Sequence, residues 1–125
     1  MTKKEIAIHY LELLEKGTIE QLLSLFNEDA LVDSPIYGLM PANQFYHDLA
    51  NDTSNSNLKL LGVFEENDSN QVALYFNYKW TLKNNEIVKF DVVDIIEFNA
   101  QNKISKLKII YDTVVARGLI KRLEE

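Results

Sequence analysis

The run Val88-Lys89-Phe90-Asp91-Val92-Val93-Asp94-Ile95-Ile96-Glu97-Phe98 constrains this chain more than any other segment. Its β-branched and aromatic content predicts a single strand, and side chains along a strand alternate between the two faces of its sheet. One face then carries Val88, Phe90, Val92, Asp94, Ile96 and Phe98, and the other Lys89, Asp91, Val93, Ile95 and Glu97. Asp94 is the only polar group on its face. A carboxyl among buried apolar neighbours must find a strong partner or keep its proton, because desolvation disfavours the charged form. Asp94 is therefore a candidate functional residue.

The segments before this strand read as helices. Thr2 with Glu5 forms a capping-box pattern, and Ile6, Tyr10, Leu13 and Leu14 recur at helical spacing, which predicts a helix from about Lys3 to Glu15 that stops at Lys16-Gly17. Thr18 and Gln21 repeat the cap pattern, and Ile19, Leu22, Leu23, Leu25 and Phe26 predict a second short helix ending near Asn27. Asp29 to Pro35 reads as a short strand entering a turn, since proline removes a backbone donor and favours extended geometry before it. Pro41 followed by Phe45, Tyr46 and Leu49 predicts a third helix over roughly Ala42 to Asn51, and the polar stretch from Asn51 to Asn57 reads as a loop.

Beyond that loop the periodicity changes from helical to alternating. Leu58 to Glu65, Gln71 to Leu82, Glu86 to Phe98 and Lys103 to Thr113 are four expected strands separated by short polar turns, hence antiparallel neighbours. Val115, Leu119 and Leu123 suggest a C-terminal helix over Val114 to Leu123. Helices first and a long antiparallel sheet after them make an α+β layout, with the helices covering one sheet face and a pocket on the concave side.

Composition bounds the rest. A chain of 125 residues, 46% of them hydrophobic, is expected to be one domain spanning 1–125. A net charge of −6 argues against a nucleic-acid partner, which needs a basic patch. No cysteine is present, so disulfides and thiolate metal sites are excluded. No signal peptide or membrane span is readable, and a cytoplasmic location is the expectation. The sequence holds no Gly-rich phosphate loop and no metal-ligand spacing, so no cofactor and no metal is expected.

Tyr10, Leu13 and Gly17 at the first helix, Phe26-Asn27-Glu28-Asp29-Ala30 leading to Val32-Asp33-Ser34-Pro35, Phe45-Tyr46, and Asp91-Val92-Val93-Asp94 follow one another in a familiar order. In this the chain resembles the cone-shaped α+β barrel of the nuclear transport factor 2-like superfamily (cystatin-like, a curved antiparallel sheet wrapped around N-terminal helices), and within it the SnoaL-like and ketosteroid-isomerase-like branch. The resemblance covers Ile6 to about Thr113. In ketosteroid isomerases a tyrosine of the first helix and a protonated aspartic acid of the penultimate strand donate hydrogen bonds to a dienolate oxygen, which implies that role for Tyr10 and Asp94. Tyr46 matches a further tyrosine that hydrogen-bonds to the first in some members. The general base of those enzymes immediately precedes the proline. Here Ser34 holds that place and the carboxylate stands one residue earlier, at Asp33, where an extended backbone points it to the other face.

SnoaL-like cyclases use a histidine or aspartate in the cavity as base. His9 and His47 adjoin Tyr10 and Tyr46, and helix neighbours diverge by ~100°, so both are expected at the cavity edge or outside it. The limonene-epoxide-hydrolase branch needs an Asp-Arg-Asp set across adjacent strands, and the central strands contain no arginine.

Each candidate also has a structural reading. Tyr10, Tyr46 and Asp94 can form a satisfied buried network, and Asp33 with Ser34 can be a turn-forming pair. Tyr78 and Trp80 share a strand face with Val72, Leu74 and Phe76, and part of that set is expected at a subunit interface. Asp112 is expected to close a strand end or meet the tail helix. The composite expectation is a protein that binds a hydrophobic, carbonyl-bearing small molecule, with proton transfer next to the carbonyl if it is an enzyme. The alternative is a non-catalytic binding or interaction domain of the same fold. A homodimer through the outer sheet face is expected from Val93, Ile95 and Ile110; no membrane partner is.

Overall fold

A computed structural model describes residues 1–124, so Glu125, the last residue of the expected domain, lies outside the described residues. The chain begins with helix α1 (Lys3–Lys16), capped as expected: Thr2 Oγ1 accepts the Glu5 N–H at 3.1 Å and the Glu5 carboxylate accepts the Thr2 N–H at 3.0 Å. A cap of this kind is typically worth ~1 kcal/mol. Gly17 closes the helix at φ 73°, a left-handed conformation that costs a glycine little.

Helix α2 (Ile19–Leu23) is shorter than its apolar spacing suggests. Strand β1 (Phe26–Ser34) begins where the helix was expected to continue, because the Ile104 N–H donates to the Leu25 carbonyl and Phe26 pairs with Ile104. A partner far along the chain thus overrides local helical pattern. Strand β2 (Gly38–Pro41), which the sequence reading lacks, returns antiparallel to β1 across the Pro35 turn. Helix α3 (Ala42–Asp52) follows.

Strand β3 (Thr53–Glu65) takes in most of the segment expected as a loop. Its polar start pairs with the end of β4 (Gln71–Leu82), Asn55 with Thr81 and Asn57 with Lys79, so backbone pairing fixes a conformation that its side chains do not favour. Strands β5 (Ile87–Phe98) and β6 (Ile104–Ile110) complete the sheet, and helix α4 (Val114–Leu123) ends it. The buried face of α4 is Ala116, Leu119 and Ile120; Val115, read from spacing as inward, is 62% exposed.

The six strands lie in the order β2-β1-β6-β5-β4-β3, a curved sheet that does not close, with every pairing antiparallel except β1 with β6. β4 alternates almost perfectly, burying Val72, Leu74, Phe76, Tyr78, Trp80 and Leu82. These side chains meet the apolar faces of α1 and α3 within one core. The expected placement of part of the Tyr78–Trp80 set at a subunit interface is therefore corrected: both are buried inside the cone, because their strand face turns toward the helices. No helix among the described residues is long and apolar enough to cross a membrane.

The opposite, convex face is apolar along two cross-strand rows. Phe64, Ala73 and Ile95 form one; Gly62, Tyr75, Val93 and Ile110 form the other. Phe64 is 60% exposed and its ring lies across Gly62, where an added Cβ would sit 2.9 Å from the ring.

Candidate functional site

Alternation in β5 turns Asp94 inward between Val92 and Ile96, opposite Leu74 of β4 and Ile109 of β6. It is 1% exposed, and its Oδ1 has no hydrogen-bond partner. Burial alone pushes its carboxyl up to about 8. A carboxyl so placed is mostly protonated at neutral pH and has an O–H to donate.

α1 and α3 bring Tyr10 and Tyr46 to the same cavity, where their hydroxyls lie 2.6 Å apart. Their rings meet edge to face with Phe26 and Phe45 around them. Burial, then the neighbouring Tyr46 and Asp94, push the Tyr10 hydroxyl well above its ordinary range; burial does the same to Tyr46. Both therefore stay protonated donors at any physiological pH. Tyr10 and Tyr46 share one short bond with each other and neither bonds Asp94, so the Asp94 Oδ1 is left without a partner inside the cone.

The cavity around these groups is apolar and narrow, about 40 Å³, floored by Phe76 and Val92. Half-buried Tyr37, Leu49, Phe90 and Tyr111 form its rim. The Tyr37 hydroxyl donates to Asp52, the Arg117 guanidinium donates to the Pro35 carbonyl, and Phe90 stacks on Tyr111 at 4.5 Å. Burial raises the Tyr111 hydroxyl to about 12 in spite of Arg117 nearby.

Ser34 and Asp33 separate as strand parity requires. Ser34 is buried and lines the cavity, with its Oγ accepting the Tyr37 N–H at 2.9 Å across the turn. Asp33 faces outward, in register with Leu39 and Lys108. His9 and His47 do not line the cavity; His47 is exposed, its Nδ1 2.7 Å from the Asn43 carbonyl oxygen and its Nε2 3.5 Å from Glu20. Asp112 accepts the Val114 N–H at the start of α4. No cluster of three metal-ligating side chains occurs among the described residues.

Two rim groups escape sequence reasoning. Tyr37 sits in a turn that has no periodicity, and Tyr111, expected within a strand running to Thr113, lies just past β6, which ends at Ile110. Tyr78, Trp80 and Phe90 also line the cavity; alternation put Tyr78 and Trp80 on one strand face but did not show that this face turns toward the cone and not toward a subunit interface.

Solved structures share the fold. TerC, co-crystallised with polyporic acid, has a TM-score of 0.80 to this chain at 17% identity, over 95% of this chain and 98% of its own. An NTF2-like protein of unknown function from Cytophaga hutchinsonii has a TM-score of 0.73 at 15% identity, over 100% of this chain and 96% of its own. The chain has the nuclear transport factor 2-like fold. SalBIII, an epoxide hydrolase/cyclase-like enzyme with a role in pyran ring formation in the polyether salinomycin, is similar to this chain in fold, with a TM-score of 0.77 at 16% identity, over 88% of this chain and 90% of its own. No family model and no curated protein matches the sequence.

Proposed function

We propose that this chain is a SnoaL-like small-molecule-binding protein that takes a hydrophobic, carbonyl-bearing ligand into its cone. The observation that carries this reading is Asp94: a buried carboxyl with an unpartnered oxygen, in an apolar cavity that also holds a pair of buried tyrosine hydroxyls. The ligand's carbonyl oxygen accepts from the protonated Asp94 and from the tyrosine pair. Were a carboxylate base supplied at position 34, it would take the proton next to the carbonyl, the electron pair would move onto the oxygen, and donors already in place in an apolar site would stabilise the enolate. The proton would then return to carbon. Asp33 faces away and Ser34 is no base, so the chain binds enolate-like molecules well and transfers protons slowly.

Neighbours of the same shape support a ligand-holding cone: TerC is crystallised with polyporic acid, and SalBIII acts in pyran ring formation. The chemistry of an epoxide hydrolase is not carried over, because the described cavity lining has one carboxyl and no arginine.

A second reading, a non-catalytic binding or interaction domain, is favoured by the cavity's size of about 40 Å³. The discriminating experiment is a fluorescence titration with 2-naphthol, a planar phenol that mimics an enolate. Saturable binding, weakened about tenfold in Tyr10→Phe as one lost hydrogen bond implies, supports the ligand-binding reading. Absence of binding replaces it with the second. In either reading the apolar convex face serves as the contact between two copies of the chain.

A further inference from the structure

The cone as folded cannot hold an organic ligand by itself. A volume of about 40 Å³ is close to the share of one water molecule, ~30 Å³, whereas an apolar cavity that admits benzene is ~150 Å³. Any ligand must therefore claim space that the cavity itself lacks.

That space adjoins it. A second hollow of about 190 Å³ lies where α1 ends, α3 ends and β3 begins. Leu14, Leu49 and Tyr78 line both spaces and form the partition between them. Leu49 is only half-buried. The Tyr78 ring is tethered by its hydroxyl to Ser56 Oγ at 2.8 Å, and Ser56 itself lines the second hollow. The two compartments join when the Leu49 and Tyr78 side chains that separate them turn aside.

The chemistry of the hollow is opposite to that of the cone. Ser54, Asn55 and Ser56 line it, together with the C-terminal ends of α1 and α3. Helix C-termini carry partial negative charge on their last carbonyls, and the Glu15 carboxylate lies on the same side, holding the Leu58 N–H. Lys16 is the single cation among the lining residues. Such a surface receives hydrogen-bond donors and repels anions.

We propose that this polar hollow is the second half of the ligand site, and that it takes a hydroxyl- or amine-bearing tail of a ligand whose apolar carbonyl end occupies the cone. The physiological ligand is thus amphipathic and uncharged or cationic, and not a carboxylate or phosphate. The inference rests on the ligand-binding reading above and specifies what that site selects.

The test is a titration of the intact protein with 2-naphthol and with 2-naphthols carrying an ethyl, hydroxyethyl, aminoethyl or carboxymethyl arm on the far ring. The hydroxyethyl and aminoethyl compounds are expected to bind about tenfold more tightly than the ethyl one, and the carboxymethyl compound more weakly. A lead of the amine over the hydroxyl assigns the preference to charge; equal gain assigns it to donation. In Ala50→Trp, where an exposed helix position on the hollow gains a bulky ring, the donor-armed and ethyl-armed compounds are expected to bind alike. Equal affinity of all arms in the wild type, or a donor advantage that survives Ala50→Trp, overturns the inference while leaving the ligand-binding reading intact. Failure of 2-naphthol itself to bind removes both.

Discussion

The hydroxyls of Tyr10 and Tyr46 lie 2.6 Å apart in the core, although the residues are 36 positions apart and belong to different helices. Each hydroxyl has one proton. One of the two is used inside the pair, so the other remains available to a ligand, and its donor is polarised by the bond it accepts. Asp94 sits in the same cavity without drawing on either, which leaves a second donor free. Two such donors in an apolar site form a receptor for an oxygen that carries or develops negative charge.

Asp94 is expected to make stability pH-dependent in a definite direction. Its carboxyl titrates at about 8 in the folded protein, against roughly 3.9 for a solvated aspartate. Below the lower value both states are protonated and the group is neutral in effect. Between the two values the unfolded chain releases a proton that the folded protein retains, so stability falls as pH rises and levels off above the folded value. Asp94→Asn lacks this loss. Urea melts of both proteins from pH 5 to pH 8 are expected to show the variant gaining on wild type, at most on the order of 1.4 kcal/mol per pH unit; a gap independent of pH contradicts the assignment.

Ser34→Asp is expected to gain proton-transfer activity. The position is buried and faces the cavity, and an aspartate oxygen can accept the Tyr37 N–H that Ser34 now accepts. Two carboxyls near each other do not ionise together, so the introduced one takes the base role while Asp94 keeps its proton. Positioned general-base catalysis is worth ~10²–10⁴-fold. A spectrophotometric assay on a β,γ-unsaturated ketone is expected to show weak activity in wild type and a clear gain in the variant; efficient wild-type turnover contradicts the reading of Ser34.

The convex face is expected to pair two chains. Ile95 stands in register with Ala73 and Phe64, beside Tyr75, Val93 and Ile110 in the next row. Phe64 and Ile110 are exposed and the residues between them partly so, and apolar side chains neighbouring one another on an outer face mark an interface. Light scattering at micromolar concentration is expected to give twice the 14.5 kDa chain mass, and Ile95→Lys the single mass. A monomeric wild type sinks this expectation.

Much of this arrangement was legible in the sequence, for reasons that differ by residue. Asp94 stood out because strand alternation is strict over β5, and Ser34 and Asp33 parted correctly by the same parity. Tyr10 and Tyr46 lay on clear helical faces. Periodicity failed where a distant partner decided the conformation: Phe26 left its helix for Ile104, and the polar Asn55–Asn57 segment became strand by pairing with β4. In α4 the spacing of Val115, Leu119 and Leu123 competed with that of Ala116, Leu119 and Ile120, and burial against the sheet selected the second. Tyr37 and Tyr111 lie outside regular elements, so only the folded chain shows them at the rim.

Carbon NMR of aspartate-labelled protein, following the Asp94 carboxyl through a pH titration with and without 2-naphthol and assigned with Asp94→Asn, tests the central claim most directly. The expected result is a midpoint near 8 in the free protein, as burial dictates, and a displaced Asp94 resonance once the phenol is bound. A midpoint at or below ~4, where a solvated aspartate lies, or a resonance that the phenol leaves unmoved, contradicts a ligand site built on Asp94.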